Sequence, residues 1–250
     1  MITLLYQLST TALNGIMNQL EAQSSFISNI LNEYKPQNTL QLGLGNLDQT
    51  LSTCQTLKSV NHATLTLITP TVMQHSKFSQ ELKKLKESSL EDLVELIRTP
   101  ADEVLPDFYF QNSSLDLAIM NDCTQFDQAL VAFYYIDKML VSRGTIIITD
   151  ADTPVMKKLC RHLLTERSYT IDKSVNTTKK GPKIARILRE RFNKAPALLT
   201  DRIKPFLNAE LLLTDEDLGL GCSMIAFTKP AEEGEIEMDF DSLLESIINE

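Results

Sequence analysis

The chain has 250 residues, of which 43% are hydrophobic and 23% charged, an ordinary balance for one large globular domain with its own core. Its formal net charge of −9 excludes a nucleic-acid surface, since phosphate contacts need a Lys/Arg patch. Cys54, Cys123, Cys160 and Cys222 fall in separate segments without a Cys-x-x-Cys pair, so free thiols in a reducing compartment are expected. The start, "MITLLYQLST", has no basic region, and its apolar run is too short for a signal peptide or a span. These features predict a cytoplasmic protein with no membrane partner.

Taken in chain order, residues 12–33 carry apolar side chains at helical spacing (Leu13, Ile16, Met17, Leu20, then Phe26, Ile27, Ile30, Leu31), and Pro36 stops that helical segment. The run 39–44, "TLQLGL", reads as a buried strand and 50–57 as a helix. Residues 63–69 form a second predicted strand, followed by a charged amphipathic helix over 76–97. A third strand is expected at 115–121, a helix at 126–140, a fourth strand at 144–149 and a helix at 154–167. Short apolar strands alternating with helices imply βαβ units and a parallel sheet covered on both faces.

The last third changes character. Residues 168–175 read as a strand, an irregular and helical insertion runs to about 213, and 222–229 read as a final strand. The stretch Lys173 to Arg191 is locally basic and reads as a solvated helix face with its preceding loop, an anionic-ligand role being the other reading. Segment 231–250 is acidic, with Phe240, Leu243, Leu244 and Ile247 at amphipathic spacing; it reads as a helix packed on the domain, or else as a partner-binding element. The expected organisation is a helical segment at 1–35, an α/β domain at 36–230 and an acidic segment at 231–250.

In a doubly wound sheet, ligands sit beyond the carboxyl ends of the strands beside the first βα turn. Gly43 and Gly45 occupy that place, where a missing side chain lets backbone approach a ligand and the following helix presents free N–H groups. The third glycine of the dinucleotide fingerprint is absent, since Leu47 and Asp48 follow. Taken together, "KPQNTLQLGLGNLDQTL", "EVLPDF" and "LDLAIMNDCTQFDQALVAFYYIDKMLVSRGTIIITDAD" resemble the class I S-adenosylmethionine-dependent methyltransferases. The likeness is greatest to the branch with an Asp-Gly-x-His turn after the fourth strand, and a fifth strand introduced by Leu-x-x-Gly-Gly and closed by Asp-Asp. It covers roughly residues 25–172, and "DEDLGLGCSMIAFTK" looks like the end of such chains, where the last strand inserts antiparallel. The resemblance implies a Rossmann-like, doubly wound, mostly parallel sheet, S-adenosylmethionine as cofactor and a small-molecule methyl acceptor.

Carried over residue by residue, the resemblance meets several departures. Gln41 stands where the family usually has a carboxylate in the first strand, and Thr69 where an acid accepts hydrogen bonds from the cofactor ribose. A hydroxyl cannot reproduce that bidentate, charge-assisted pair. Pro100 falls at the acidic position that commonly meets the adenine amino group, with Asp102 and Glu103 just beyond. The Asp-Gly-x-His turn reads Asn121-Asp122-Cys123-Thr124, Arg143 replaces one of the paired glycines, and the closing acids are Thr149-Asp150. Each lost carboxylate hydrogen bond costs about 1.5–3 kcal/mol of ligand binding.

The residues expected to face a cofactor are therefore Gly43, Gly45, Asp48, Thr69, Asp102, Asn121 and Asp122, with Asp48, Asp102 and Asp122 as substitute grips. Asn121 or Asp122 with Asp150 or Asp152 could supply oxygen ligands to a divalent cation, but acids after strands commonly cap the next helix, and Asp152 before Thr153-Pro154 fits such a start, so no metal site is assigned. His62, His75 and His162 lie in a turn, a connection and a helix, and none is assigned as a base. Cys123 lacks a visible basic partner and reads as a small filler, while Phe108, Tyr109 and Phe110 are placed beside the adenine region, to stack on a base or to pack. Two functions follow: a small-molecule methyltransferase, or a non-catalytic relative using the same fold as a binding or dimerisation module, a homodimer included.

Overall fold

A computed structural model describes residues 21–45, 47–69, 90–176, 215 and 217–231. A helix over residues 21–34 (α1) leads into β1 (Asn38–Leu42), α2 (Leu47–Leu57) and β2 (Thr64–Ile68). Then come a single 3-10 turn (Glu91–Leu93), β3 (Val94–Ile97), α3 (Ala101–Phe110), β4 (Leu115–Met120), α4 (Phe126–Met139), β5 (Leu140–Ile148), α5 (Pro154–Thr165), β6 (Thr170–Asn176) and β7 (Cys222–Thr228). The strands form one sheet in the order β3-β2-β1-β4-β5-β7-β6. Pairings among β1 to β5 are parallel, while β7 pairs antiparallel with both β5 and β6. This is the Rossmann-like, doubly wound sheet with an inserted antiparallel strand that the sequence predicted.

The core follows from alternation along the strands. Leu40, Leu42, Ala118, Met120, Ile146 and Ile148 face the layer that holds Leu105 of α3, Phe133 and Ile136 of α4, and Leu159 and Leu163 of α5. Leu65, Leu117, Ile119, Ile147 and Met224 point the other way, onto Ile27, Ile30 and Leu31 of α1 and Leu57 of α2. Both faces are therefore dry, which explains why β4 and β5 read as nearly unbroken apolar runs.

Two predictions need correction. The helix expected over 76–97 does not hold at its end, where residues 94–97 are strand β3, paired in parallel with β2. Leu90, Leu93, Val94 and Ile97 have the helical i, i+3, i+4, i+7 spacing, and β3 is a half-exposed edge strand without the apolar run of a central one. Helix α3 was not predicted, because Pro106 inside it argues against a helix; Pro106 removes one N–H in a ten-residue helix that is otherwise retained. The expected helix over 12–20, the 76–89 part of the next one, the insertion after Asn176 and the acidic segment from 232 onward lie outside the described residues.

The C-terminal part of the domain is tied down by an ion cluster around the buried Asp137. Asp137, near the end of α4, accepts a hydrogen bond from the Tyr169 hydroxyl at 2.8 Å and one from the Arg167 guanidinium. Lys229, just past β7, donates to the carbonyls of Asp137 and Leu140 at 2.7 and 2.8 Å, capping the C-terminal end of α4 with a cation. All four cysteines are free, and burial pushes the Cys54 thiol up to about 12. Among the described residues no helix is long and apolar enough to cross a membrane.

Candidate functional site

The order of strands reverses between β1 and β4, the switch point where ligands enter such sheets. At the carboxyl end of β1 the chain turns through Gly43 and Gly45, at φ 71° and 56°, and enters α2. Both conformations belong to the left-handed region that glycine visits without penalty. Across the switch point β4 ends in Asn121 and Asp122, the latter itself at φ 55°. Gly43, Gly45, Asn121 and Asp122 are thus brought together at the switch point.

These residues bond to each other. The Asp122 carboxylate accepts the Gly45 amide at 2.8 Å. Asn121, almost fully buried, donates its amide to the Gly43 carbonyl at 3.3 Å and accepts from the Gln49 side chain at 3.2 Å. Gln41, also buried, donates to the Gly43 carbonyl at 3.0 Å and to the Thr50 hydroxyl at 2.8 Å, and Thr50 passes its own proton to the Leu44 carbonyl at 2.8 Å. The Gly43 and Leu44 carbonyls and the Gly45 amide are thus bonded by side chains of β1, α2 and the residues after β4, while Gln41 Oε1 is buried without a partner among the described residues.

The glycines are required by the same packing. A Cβ on Gly43 would lie 3.0 Å from both the Asn121 carbonyl oxygen and Asp122 Oδ2, and one on Gly45 would lie 3.1 Å from Asn121 Cγ. The space beside each glycine is filled by the end of β4. In the arrangement described the Gly45 amide is engaged by Asp122, and a side chain at either glycine would press on Asn121 or Asp122. Gln41, Gln49 and Thr50 brace this turn. Sequence reasoning noted Gln41 only as a lost carboxylate and missed the other two, which as polar residues after a turn carry no distinguishing signal.

The remaining predicted residues are more dispersed. Thr69 is buried at the end of β2, its amide donating to the Ile97 carbonyl at 2.9 Å. Asp48 and Asp102 are exposed in the first turns of α2 and α3, where a carboxylate favours the helix dipole. Asp150 follows β5 at φ 50°, and its pKa is raised by burial first and then by the charges of Asp122 and Asp152. No cluster of three or more His, Cys, Asp or Glu side chains placed to hold a metal ion occurs among the described residues. The cap of α5 is Thr153, whose hydroxyl accepts from the Met156 amide at 3.4 Å, and not Asp152.

Cys123 is half-buried, and burial with the neighbouring Asp122 charge pushes its thiol up to about 11, the opposite of what a nucleophile needs. His162 packs edge-on against Phe133 in α5, His62 sits in an exposed turn, and His75 lies outside the described residues. Phe108, Tyr109 and Phe110 are at the C-terminal end of α3, away from the end that follows β3. Tyr109 instead meets Phe110 and Tyr135, with ring centroids 5.5 and 6.1 Å apart, so the cluster is helix packing and surface.

No protein-family model matches this chain, and no curated protein matches it either. Solved structures do. The O-methyltransferase TomG from Streptomyces achromogenes, solved in complex with SAM, aligns at a TM-score of 0.50 and 13% identity, over 62% of this chain and 74% of that one. Cofactor-bound Rv0187 from MTB aligns at a TM-score of 0.52 and 11% identity, over 62% and 73%. The fold is that of the class I methyltransferases, and the crevice described above is the place where that fold receives ligands.

Proposed function

We propose that this chain is a non-catalytic methyltransferase-fold protein, a binding module that keeps the sheet and glycine turn of the enzymes without holding their cofactor. The observation that carries this reading is the set of bonds across the switch point, where Asp122 holds the Gly45 amide and Asn121 fills the space beside both glycines. The loss of acids at Gln41 and Thr69 agrees with it: Gln41 has become a brace for the turn, and Thr69 is buried. Calorimetric titration with S-adenosylmethionine and S-adenosylhomocysteine tests it, with no heat expected from either.

The second reading is methyl transfer from S-adenosylmethionine to a small molecule, as the SAM-bound O-methyltransferase of similar fold suggests. One feature favours it. Asp122 is exposed and reaches Gly45 through a single side chain, so a rotation about χ1 would free that amide. Micromolar binding that disappears in Gly45→Val would support this reading and sink the first.

A further inference from the structure

At the opposite end of the sheet, by the amino ends of β1, β4 and β5, lies a cleft of about 330 Å³ whose walls include Tyr34, Lys35, Asp116, Val141, Arg143 and Gly144. Its size is at the lower edge of ligand pockets. Two features of the backbone single it out. Lys35, past the end of α1, stands at φ 48°, and Arg143 stands at φ 62°. Both are conformations that glycine adopts freely and a residue with a side chain adopts only with strain. Arg143 also lies in an irregular stretch of β5: between the pairs Leu115↔Leu140 and Leu117↔Thr145, β5 advances five residues while β4 advances two. Such bulges re-aim side chains.

The strained positions thus carry the two cations that line the cleft, both exposed, and neither side chain makes an ion pair or hydrogen bond among the described residues. The one carboxylate in the cleft, Asp116, is already engaged, its Oδ2 accepting the Gln37 and Asn38 amides at 2.8 and 2.9 Å. Among the wall residues two cations stand against one carboxylate, and beside Tyr34 the Lys173 ammonium, over its ring, is paired with Glu33 and Asp172. The Tyr34 ring and the Val141 side chain, 41% and 38% exposed, supply apolar wall.

We infer that this cleft binds a small organic monoanion, a carboxylate gripped by Lys35 and Arg143 with its apolar body against Tyr34 and Val141. A planar guanidinium suits a carboxylate through paired hydrogen bonds, and its charge assists them. The site is separate from the glycine crevice and does not depend on whether a cofactor enters there.

Benzoate is the probe, with benzamide as its neutral counterpart, titrated into the full chain and followed by amide NMR. Benzoate should shift the Gln37, Gly144 and Thr145 amides saturably, and benzamide should not. Arg143→Gly and Lys35→Gly should each weaken benzoate about tenfold or more. Neither should lower the unfolding midpoint, since glycine relieves the left-handed conformation. That pairing of lost binding with retained stability separates a ligand site from a structural one. Absence of saturable shifts with benzoate, equal response to benzamide, or unchanged affinity in both glycine variants would overturn the inference.

Discussion

Replacing Gln41 by glutamate restores the kind of residue that the resemblance expects in the first strand, and the structure predicts that the restored acid is harmful. Gln41 is 1% exposed, and its amide donates to the Gly43 carbonyl at 3.0 Å and to Thr50 Oγ1 at 2.8 Å. An ionised carboxylate donates nothing, so two buried hydrogen bonds worth about 1 kcal/mol each are lost, and an oxygen faces the Gly43 carbonyl lone pairs. With the cost of burying the charge, the loss comes to about 3 kcal/mol at neutral pH. Desolvation raises the pKa of this glutamate in the folded state above its unfolded value of about 4.3. The sign follows: stability is retained below the unfolded pKa, where the protonated acid can donate one bond, and is lost as pH rises through the folded pKa. Urea unfolding followed by circular dichroism at pH 4 and pH 7, against the native protein at each pH, measures both quantities. With a slope of about 3 kcal/mol/M the midpoint should fall by about 1 M at pH 7 and by clearly less at pH 4. A Gln41→Glu protein as stable as the native one at pH 7 would refute the claim that this side chain braces the turn.

Other outcomes follow from the same geometry. Gly45→Ala should cost about 2 kcal/mol, since its φ of 56° is unfavourable for alanine and the new Cβ would press Asn121 at 3.1 Å; a midpoint equal to the native one would contradict this. Asp150, its carboxyl raised by burial and by Asp122 and Asp152, contributes stability that is lost as pH rises through its folded pKa, so Asp150→Asn should flatten the pH dependence of unfolding above the ordinary carboxylate range. Asp137→Ala should cost about 2–3 kcal/mol by leaving Tyr169 and Arg167 without their acceptor, which thermal unfolding reads directly. The Cys123 thiol, pushed up to about 11, should react with iodoacetamide slowly at neutral pH and faster as pH rises; rapid labelling at pH 7 would show a thiolate that the site does not support.

Where the sequence spoke plainly, it spoke through burial. Leu117–Met120 of β4 and Ile146–Ile148 of β5 are apolar runs because both their faces are covered, and β7 could be placed because "CSMIAFT" is buried along almost its whole length. β3 was hidden because an edge strand is buried too little to interrupt a helical spacing, and α3 because Pro106 speaks against the helix that contains it. At the site, the loss of acids at positions 41 and 69 was readable, but its consequence was not. The bond from the Gly45 amide to Asp122 joins residues 77 apart and depends on the left-handed turn at Asp122, which no local pattern encodes. Arg143 was visible as a departure from paired glycines, yet the positive φ that gives the departure meaning appears only in the fold.

The proposed function depends on the bond that ties the Gly45 amide to Asp122 at the switch point between β1 and β4. Titrating the full chain with S-adenosylhomocysteine tests it most directly, with Asp122→Ala alongside. The closed turn predicts no measurable heat from the native protein, and at most weak binding when the Asp122 latch is removed. Micromolar binding by the native chain, lost in Gly45→Val, would contradict it and return the protein to the working methyltransferases.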